Sequence, residues 1–192
     1  MEAILTAIQS GVIKNVKPTV VISDKKDAIG LEIASNKFGI PVKVVSQKGI
    51  KGWLYDRQIV TVLQNFGVDP DSGLICLAGF MRILSPEFVG RYRMRIINIH
   101  PSLLPAFPGL HAQKKAIEYG VKVSGCTVHF VNDGVDSGPI ILQQAVRVLN
   151  NDTEETLSAR ILQQEHQIYP QAVKLFAEGK IIVVDRHVSI TK

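Results

Sequence analysis

Short apolar runs alternate along the chain with longer segments in which apolar residues recur every three or four positions. The apolar runs predict buried strands, and the longer segments predict amphipathic helices. The predicted strands cover residues 18–24, 41–46, 74–78, 95–99, 121–131, 140–148 and 181–190. The predicted helices cover residues 2–11, 27–39, 52–64, 86–92, 111–120 and 153–179. Strands and helices therefore alternate through most of the chain.

The longest predicted helix has a start signal and a stop signal in its sequence. Asp152 or Thr153 is expected to cap its N-terminus, and Gly179 is expected to end it. Pro170 lies inside this helix and predicts a kink, because proline lacks the backbone N–H that an interior helical position donates.

Regular alternation of strands and helices predicts an α/β fold with a Rossmann-like, doubly wound, mostly parallel sheet. Two adjacent late strands add an antiparallel strand near one edge. No repeat or linker divides the chain, so we expect a single domain over residues 1–192. Such folds open with a strand and a phosphate-binding loop, whereas here a helix begins at Met1. The first strand is therefore apparently missing.

Composition narrows the class of protein. The chain has 192 residues, of which 46% are hydrophobic and 20% charged, as expected of a globular protein. It contains neither an apolar run long enough to cross a membrane nor a secretory signal, so we expect a cytoplasmic protein with no membrane partner. Cys76 and Cys126 lack the spacing of a zinc site, and we expect no bound metal. The net charge of +5 is scattered, which favours small anionic ligands over nucleic acid.

The most informative stretch is RIINIHPSLLPAFPGLH, residues 95–111. Its strand brings Asn98 and His100 to the same side of the sheet, at the carboxyl end where open α/β sheets bind ligands. An imidazole can exchange a proton near pH 7, and a carboxamide can donate to a developing oxyanion, so the pair suits acyl-type transfer. The alternative is that both side chains only satisfy backbone groups of the following loop.

Two further segments could contribute to a site. The turn-rich segment NDGVDSGP contains Asp133 and Asp136, and Asp136 could raise the pKa of His100 and orient its ring. The segment LAGFMRILSPEF could line a pocket for a flat heteroaromatic ligand. A solvated loop and a loop packed on the core are the respective alternatives. His129 and Glu165 are interpreted from their positions alone as structural and solvent-exposed residues.

Four blocks, LAGFMRILSP, NIHPSLLPAFPGLHAQKKAIEYG, GCTVHFVNDGVDSGPIILQ and ARILQQEHQIYP, closely resemble the phosphoribosylglycinamide formyltransferases, folate-dependent enzymes of purine biosynthesis. The blocks occur in the family's order and span nearly the whole chain. The resemblance implies transfer of a formyl group from 10-formyltetrahydrofolate to the glycinamide amine of the phosphoribosyl substrate, without a metal. It implies small-molecule partners only and a monomer or a homodimer.

The resemblance also assigns residues. It implies a catalytic trio of Asn98, His100 and Asp136. It implies a folate site formed by Met81, Arg82, Ile83, Leu84, Asn98, Asn132, Asp133, Gly134, Val135 and Asp136. It places Pro101 and Glu165 at the phosphoribosyl substrate.

Two departures from the family pattern bear on function. Family members begin with a strand and a loop that grips the substrate phosphate, so about ten residues are expected to be absent before Met1. Either the natural start lies upstream, which we favour, or the chain is a shortened form with weakened phosphate binding. Gly52 stands where some relatives carry an arginine near the folate tail. The alternatives to the implied function are another folate-dependent formyl-handling enzyme and a non-catalytic folate-binding protein.

Overall fold

Helices and strands follow one another in the order expected for an α/β protein in the computed structural model, which describes residues 1–47 and 49–191. The helices are Glu2–Gln9 (α1), Ile29–Glu32 (α2), Trp53–Asn65 (α3), Pro86–Arg91 (α4), Ala112–Tyr119 (α5) and Glu154–Ala177 (α6). The strands are Val21–Ser23 (β1), Val42–Val44 (β2), Ile75–Leu77 (β3), Ile96–His100 (β4), Val123–Phe130 (β5), Ile140–Arg147 (β6), Ile181–Val184 (β7) and His187–Ile190 (β8).

The strands of the described chain form a mixed arrangement of parallel and antiparallel pairs. The largest sheet has the order β3-β4-β5-β6, with β3 parallel to β4 and the other two pairs antiparallel. Strands β1 and β2 form a separate parallel pair, and β7 and β8 form an antiparallel hairpin. The expected antiparallel strand is thus part of a larger antiparallel region. Among the described residues, β1 and β3 are each hydrogen-bonded to a neighbouring strand along one edge only.

Helices pack on both faces of the main sheet, because successive residues of a strand point to opposite sides. Ile96 of β4 belongs to an apolar cluster with residues of α3 and α4, which include Tyr55, Ile59, Val60, Leu63, Phe88 and Val89. Ile97 belongs to a second cluster on the other face with residues of α1, α5 and α6, which include Ile4, Ala116, Leu157, Ile161 and Tyr169. The two faces confirm the doubly wound arrangement.

Local signals in the sequence account for the ends of the helices. The Thr153 hydroxyl accepts from the backbone N–H of Thr156, and the Thr156 hydroxyl accepts from the N–H of Thr153, so Thr153 caps α6. Pro170 lies within α6, which continues to Ala177. Ser85 caps α4, and Pro86 occupies its first position, where no N–H is needed.

Two predicted elements differ from the structure. Residues 181–190 were expected to form one strand, but the chain reverses at Asp185, whose positive φ of 52° allows a tight turn between β7 and β8. The helix expected over residues 27–39 is one α-helical turn, α2, followed by the π-helical segment Ile33–Lys37. Among the described residues, every helix is too short or too polar to cross a bilayer.

Candidate active site

Strand β4 presents Asn98 and His100 on one side of the sheet, two residues apart. The antiparallel neighbour β5 places His129 directly opposite Asn98 and Thr127 directly opposite His100. Residues paired in this way have side chains close enough to interact. Four polar side chains therefore meet at one end of the β4–β5 pair, and three of them are buried: His100, Thr127 and His129.

Asp136 joins this group from the turn between β5 and β6. Its backbone has a φ of 47°, in the left-handed region that aspartate tolerates better than most residues. Its Oδ2 atom accepts a hydrogen bond of 2.8 Å from the backbone N–H of Gly109 and lies 3.1 Å from Nδ1 of His100. The carboxylate is only 14% exposed, so it faces the imidazole and is shielded from bulk solvent.

The His100 ring has an acceptor at each of its two nitrogens. Nε2 donates to the carbonyl of Phe107 at 2.9 Å, and Nδ1 faces the Asp136 carboxylate. Only the protonated ring can donate to both acceptors at once. Burial lowers the pKa of His100, while the Phe107 carbonyl and Asp136 act in the opposite direction. The pKa is lowered overall, which favours a neutral ring that can take up a proton during a reaction.

His129 links Asn98 to Asp136. Its Nδ1 donates to the Phe130 carbonyl at 2.8 Å, and its Nε2 lies 3.4 Å from Nδ2 of Asn98 and 3.7 Å from Oδ1 of Asp136. Contact with His129 is the largest cause that lowers the pKa of Asp136 to about 2, followed by the hydrogen bond from Gly109 and the charge of His100 against the opposing effect of burial. Asp136 is therefore ionised at neutral pH.

The loop between β3 and α4 presents apolar side chains outward. Met81 is 75% exposed and Ile83 is 77% exposed, whereas Leu84 is buried in the apolar cluster beneath α3 and α4. The guanidinium of Arg82 stacks over the ring of Tyr55 at 3.9 Å. Of the four residues assigned to a folate site in this loop, Met81 and Ile83 have side chains available to a ligand, while Leu84 and Arg82 pack against the protein.

The turn that carries Asp136 is ordered by its own side chains. The Asn132 Oδ1 atom accepts from the Gly134 N–H at 3.2 Å and from the Ser137 hydroxyl at 2.9 Å. Asp133, Gly134 and Val135 are exposed. Their backbone and side chains are therefore accessible to a ligand, while Asn132 shapes the turn.

The two residues assigned to the phosphoribosyl substrate lie on different elements, Pro101 after β4 and Glu165 on α6. Pro101 directly follows β4 and is partly buried. Glu165 lies on α6 one helical turn before Tyr169, whose hydroxyl bonds the Leu77 carbonyl of β3 at 2.7 Å. Burial raises the pKa of Glu165. Within the described part of the chain, no group of three or more His, Cys, Asp or Glu side chains is arranged to hold a metal ion.

Comparison with protein families matches residues 1–173 to the formyl transferase family. The chain belongs to this family. It is 41% identical over 181 residues to phosphoribosylglycinamide formyltransferase of Escherichia coli (strain K12), covering 94% of this chain and 83% of that protein. Its fold matches the crystal structure of glycinamide ribonucleotide transformylase 1 from Symbiobacterium toebii with a TM-score of 0.93 and 49% identity, covering 100% of this chain and 88% of that one.

The chain is also similar to part of a much longer protein. It is 52% identical over 162 residues to the trifunctional purine biosynthetic protein adenosine-3 of Drosophila pseudoobscura pseudoobscura. The match covers 84% of this chain but spans 12% of that protein's length. The resemblance noted in the four sequence blocks is thereby confirmed at the level of the family.

Sequence reasoning missed two polar residues of the candidate site, His129 and Thr127. Both lie on the same face of β5, since they are two residues apart in the run TVHFV. That alternation was visible in the sequence. The contacts with Asn98 and His100 depend on the antiparallel register between β4 and β5, which the alternation alone does not determine.

Proposed function

We propose that this chain transfers a formyl group from 10-formyltetrahydrofolate to the amine of 5′-phosphoribosylglycinamide, a step of purine biosynthesis. The observation that carries the proposal is the group formed by Asn98, His100 and Asp136 at the end of β4, with His100 Nδ1 3.1 Å from the Asp136 carboxylate. The names of the relatives from Escherichia coli and Symbiobacterium toebii support the same reaction.

In the proposed reaction, the substrate amine attacks the formyl carbon and forms a tetrahedral intermediate that carries an oxyanion. The Asn98 amide is the neutral donor for this oxyanion, and the protonated His100 ring adds a positive charge beside it. Collapse of the intermediate breaks the bond to the folate nitrogen, which leaves with a proton. The attacking amine loses one proton in the same sequence of steps, so no net proton is gained or lost.

Asp136 acts on this reaction through His100. Its carboxylate is ionised at neutral pH, because its pKa is lowered to about 2, and it stabilises the protonated imidazole across 3.1 Å. Nε2 of His100 is engaged by the Phe107 carbonyl. Proton delivery by this nitrogen therefore requires exchange of that bond, and a held water is the second route to the leaving nitrogen.

The surroundings of the polar group suit a flat folate ring. Met81, Ile83 and Val135 are large apolar side chains that are 75%, 77% and 52% exposed, so they are available for contact with a ligand. Apolar surfaces beside a few polar groups are typical of small-molecule sites. A folate in contact with these side chains would lie beside the polar group at the end of β4 and β5, where the reaction is proposed to occur.

Steady-state assays with both substrates test the proposal. The wild-type protein should formylate the glycinamide substrate, and loss of formylfolate should stop when that substrate is omitted, which excludes simple hydrolysis. His100→Ala should lose about 100- to 1000-fold in turnover while keeping its circular dichroism spectrum. His187→Ala, at an exposed position of β8, is the matched control and should retain full activity. A folded His100→Ala protein with wild-type turnover contradicts the assignment.

A further inference from the structure

A buried hydroxyl lies directly across from the catalytic candidate His100. Thr127 is the residue of β5 paired with His100 of β4, and it is fully buried. Its hydroxyl makes three hydrogen bonds. It donates to the Ser102 carbonyl at 2.7 Å and accepts from the Leu104 N–H at 3.0 Å and from Nε2 of Gln143 at 2.9 Å. One proton and two lone pairs are thus all used.

These bonds hold the proline loop, which we define as residues 101–108. Gln143 of β6 adds a fourth bond, because its Nε2 also donates to the Leu104 carbonyl at 2.8 Å. Within the loop, the Ser102 hydroxyl bonds the Ala106 carbonyl at 2.5 Å and approaches the Phe107 carbonyl at 3.4 Å. The loop is therefore tied to β5 and β6 at its start and tied to itself at its end.

The end of the proline loop sets the environment of His100. The Phe107 carbonyl accepts from Nε2 of His100 at 2.9 Å, and the backbone of Phe107 has a φ of 53°, in the left-handed region. A non-glycine residue keeps such a conformation only where the surrounding structure holds it. The position of this carbonyl therefore depends on the bonds that hold the loop.

We propose that Thr127, with Gln143, is a positioning residue that holds the Phe107 carbonyl against Nε2 of His100. It orients the ring toward Asp136 and favours the protonated form that the reaction uses. As far as turnover is concerned, this proposal rests on the formyl transfer proposed above. As far as the ionisation of His100 is concerned, it stands on the contacts alone.

The charges that act on His100 determine the direction of the expected change. They come from Asp136 in the turn between β5 and β6, from His129 on β5 and from Lys115 on α5. Asp136 and the Phe107 bond raise the pKa of His100, whereas His129 and Lys115 lower it alongside burial. A weaker Phe107 bond leaves the three charges in place and removes one favourable contact of the protonated ring, so the pKa falls.

The test compares three variants: Thr127→Val, Thr127→Ser and Ser124→Ala. The pKa of His100 is measured by NMR titration, with its ring signals assigned by their loss in His100→Ala. Steady-state assays give kcat and KM for each variant. Valine has nearly the shape of threonine but makes none of the three bonds, whereas serine can make all of them. Ser124 is a matched control, because its hydroxyl is also buried on β5 but has no hydrogen-bond partner among the described residues.

Thr127→Val should lower the pKa of His100 by roughly half to one unit and kcat by about 10- to 100-fold, with KM changed far less. Thr127→Ser and Ser124→Ala should titrate and turn over as the wild type does. If Thr127→Val does not fold, Gln143→Met removes two of the bonds from a more exposed position and should shift the pKa in the same direction.

An unchanged His100 titration in folded Thr127→Val, or in folded Gln143→Met where that variant replaces it, overturns the proposal. So does a Thr127→Ser protein that behaves like the valine variant. If the wild-type protein transfers no formyl group, the proposed function fails, and the titration still decides the role of Thr127.

Discussion

Replacement of Asp136 by asparagine tests both the stability and the chemistry of the site. Asparagine has the same shape, tolerates the left-handed backbone and still accepts from the Gly109 N–H. It removes the negative charge that lies 3.1 Å from Nδ1 of His100 and 3.7 Å from Nε2 of His129. The substitution therefore isolates the charge of the carboxylate from its volume.

The magnitude follows from the pKa of Asp136. A fall from the ordinary value of 3.8 to about 2 corresponds to about 2 kcal/mol of stability at neutral pH. In the unfolded chain the carboxyl takes up its proton near pH 4, and in the folded chain it does so near pH 2. This stabilisation is complete above about pH 4 and is lost as the pH falls toward 2.

Urea denaturation at pH 7, 5 and 3 measures this contribution of Asp136 to the free energy of unfolding. Asp136→Asn should be less stable than the wild type by about 2 kcal/mol at pH 7, and the difference should shrink at pH 3. Formyl transfer should fall about 100- to 10,000-fold at pH 7, because His100 loses its stabilising charge. Asp185→Asn is the control, since Asp185 also has a positive φ but lies exposed in the turn between β7 and β8.

The reasoning is refuted if Asp136→Asn unfolds at the same urea concentration as the wild type at pH 7 and keeps kcat within threefold. A stability difference that grows as the pH falls toward 3 also contradicts it, because the sign of the linkage is then reversed.

Three further predictions concern the site and its support. Asn98→Ala should lower kcat by about 100- to 1000-fold without loss of helical circular dichroism, because it removes the proposed oxyanion donor; a folded variant with full kcat excludes that role. Arg82→Ala should lower the free energy of unfolding by roughly 1 kcal/mol, because the guanidinium lies 3.9 Å from the Tyr55 ring centroid; an unchanged urea midpoint argues against the stack. Burial raises the pKa of the Cys76 and Cys126 thiols to about 12, so neither should react with a thiol reagent at pH 8 until the protein unfolds; rapid reaction of the native protein contradicts this.

Local signals in the sequence predicted the helices better than the turns. Thr153, one of the two expected caps of α6, acts through a bond to a residue three positions away, so the sequence alone indicates it. The reversal at Asp185 has no glycine or proline to mark it, and the apolar residues on both sides continue the pattern of a strand. A single strand was therefore expected where the chain forms a hairpin.

The sequence predicted only the part of the site that depends on local spacing. Asn98 and His100 share a strand, so their common side follows from a spacing of two. Asp136 was a candidate because a turn-rich segment contained it, but its contact with His100 needs the fold. His129 and Thr127 depend on the register of two strands separated by more than twenty residues of chain, and no local pattern reports that register.

The Tyr169 hydroxyl has a mechanical consequence for α6. It bonds the carbonyls of Leu77 and Ile97, at 2.7 Å and 3.0 Å, and so bridges two adjacent strands from a single helical residue. Any sliding of α6 along its axis would break both bonds of the buried Tyr169 side chain. Because Glu165 lies one turn away on the same helix, these two bonds also fix the register in which α6 presents that carboxylate alongside β3 and β4.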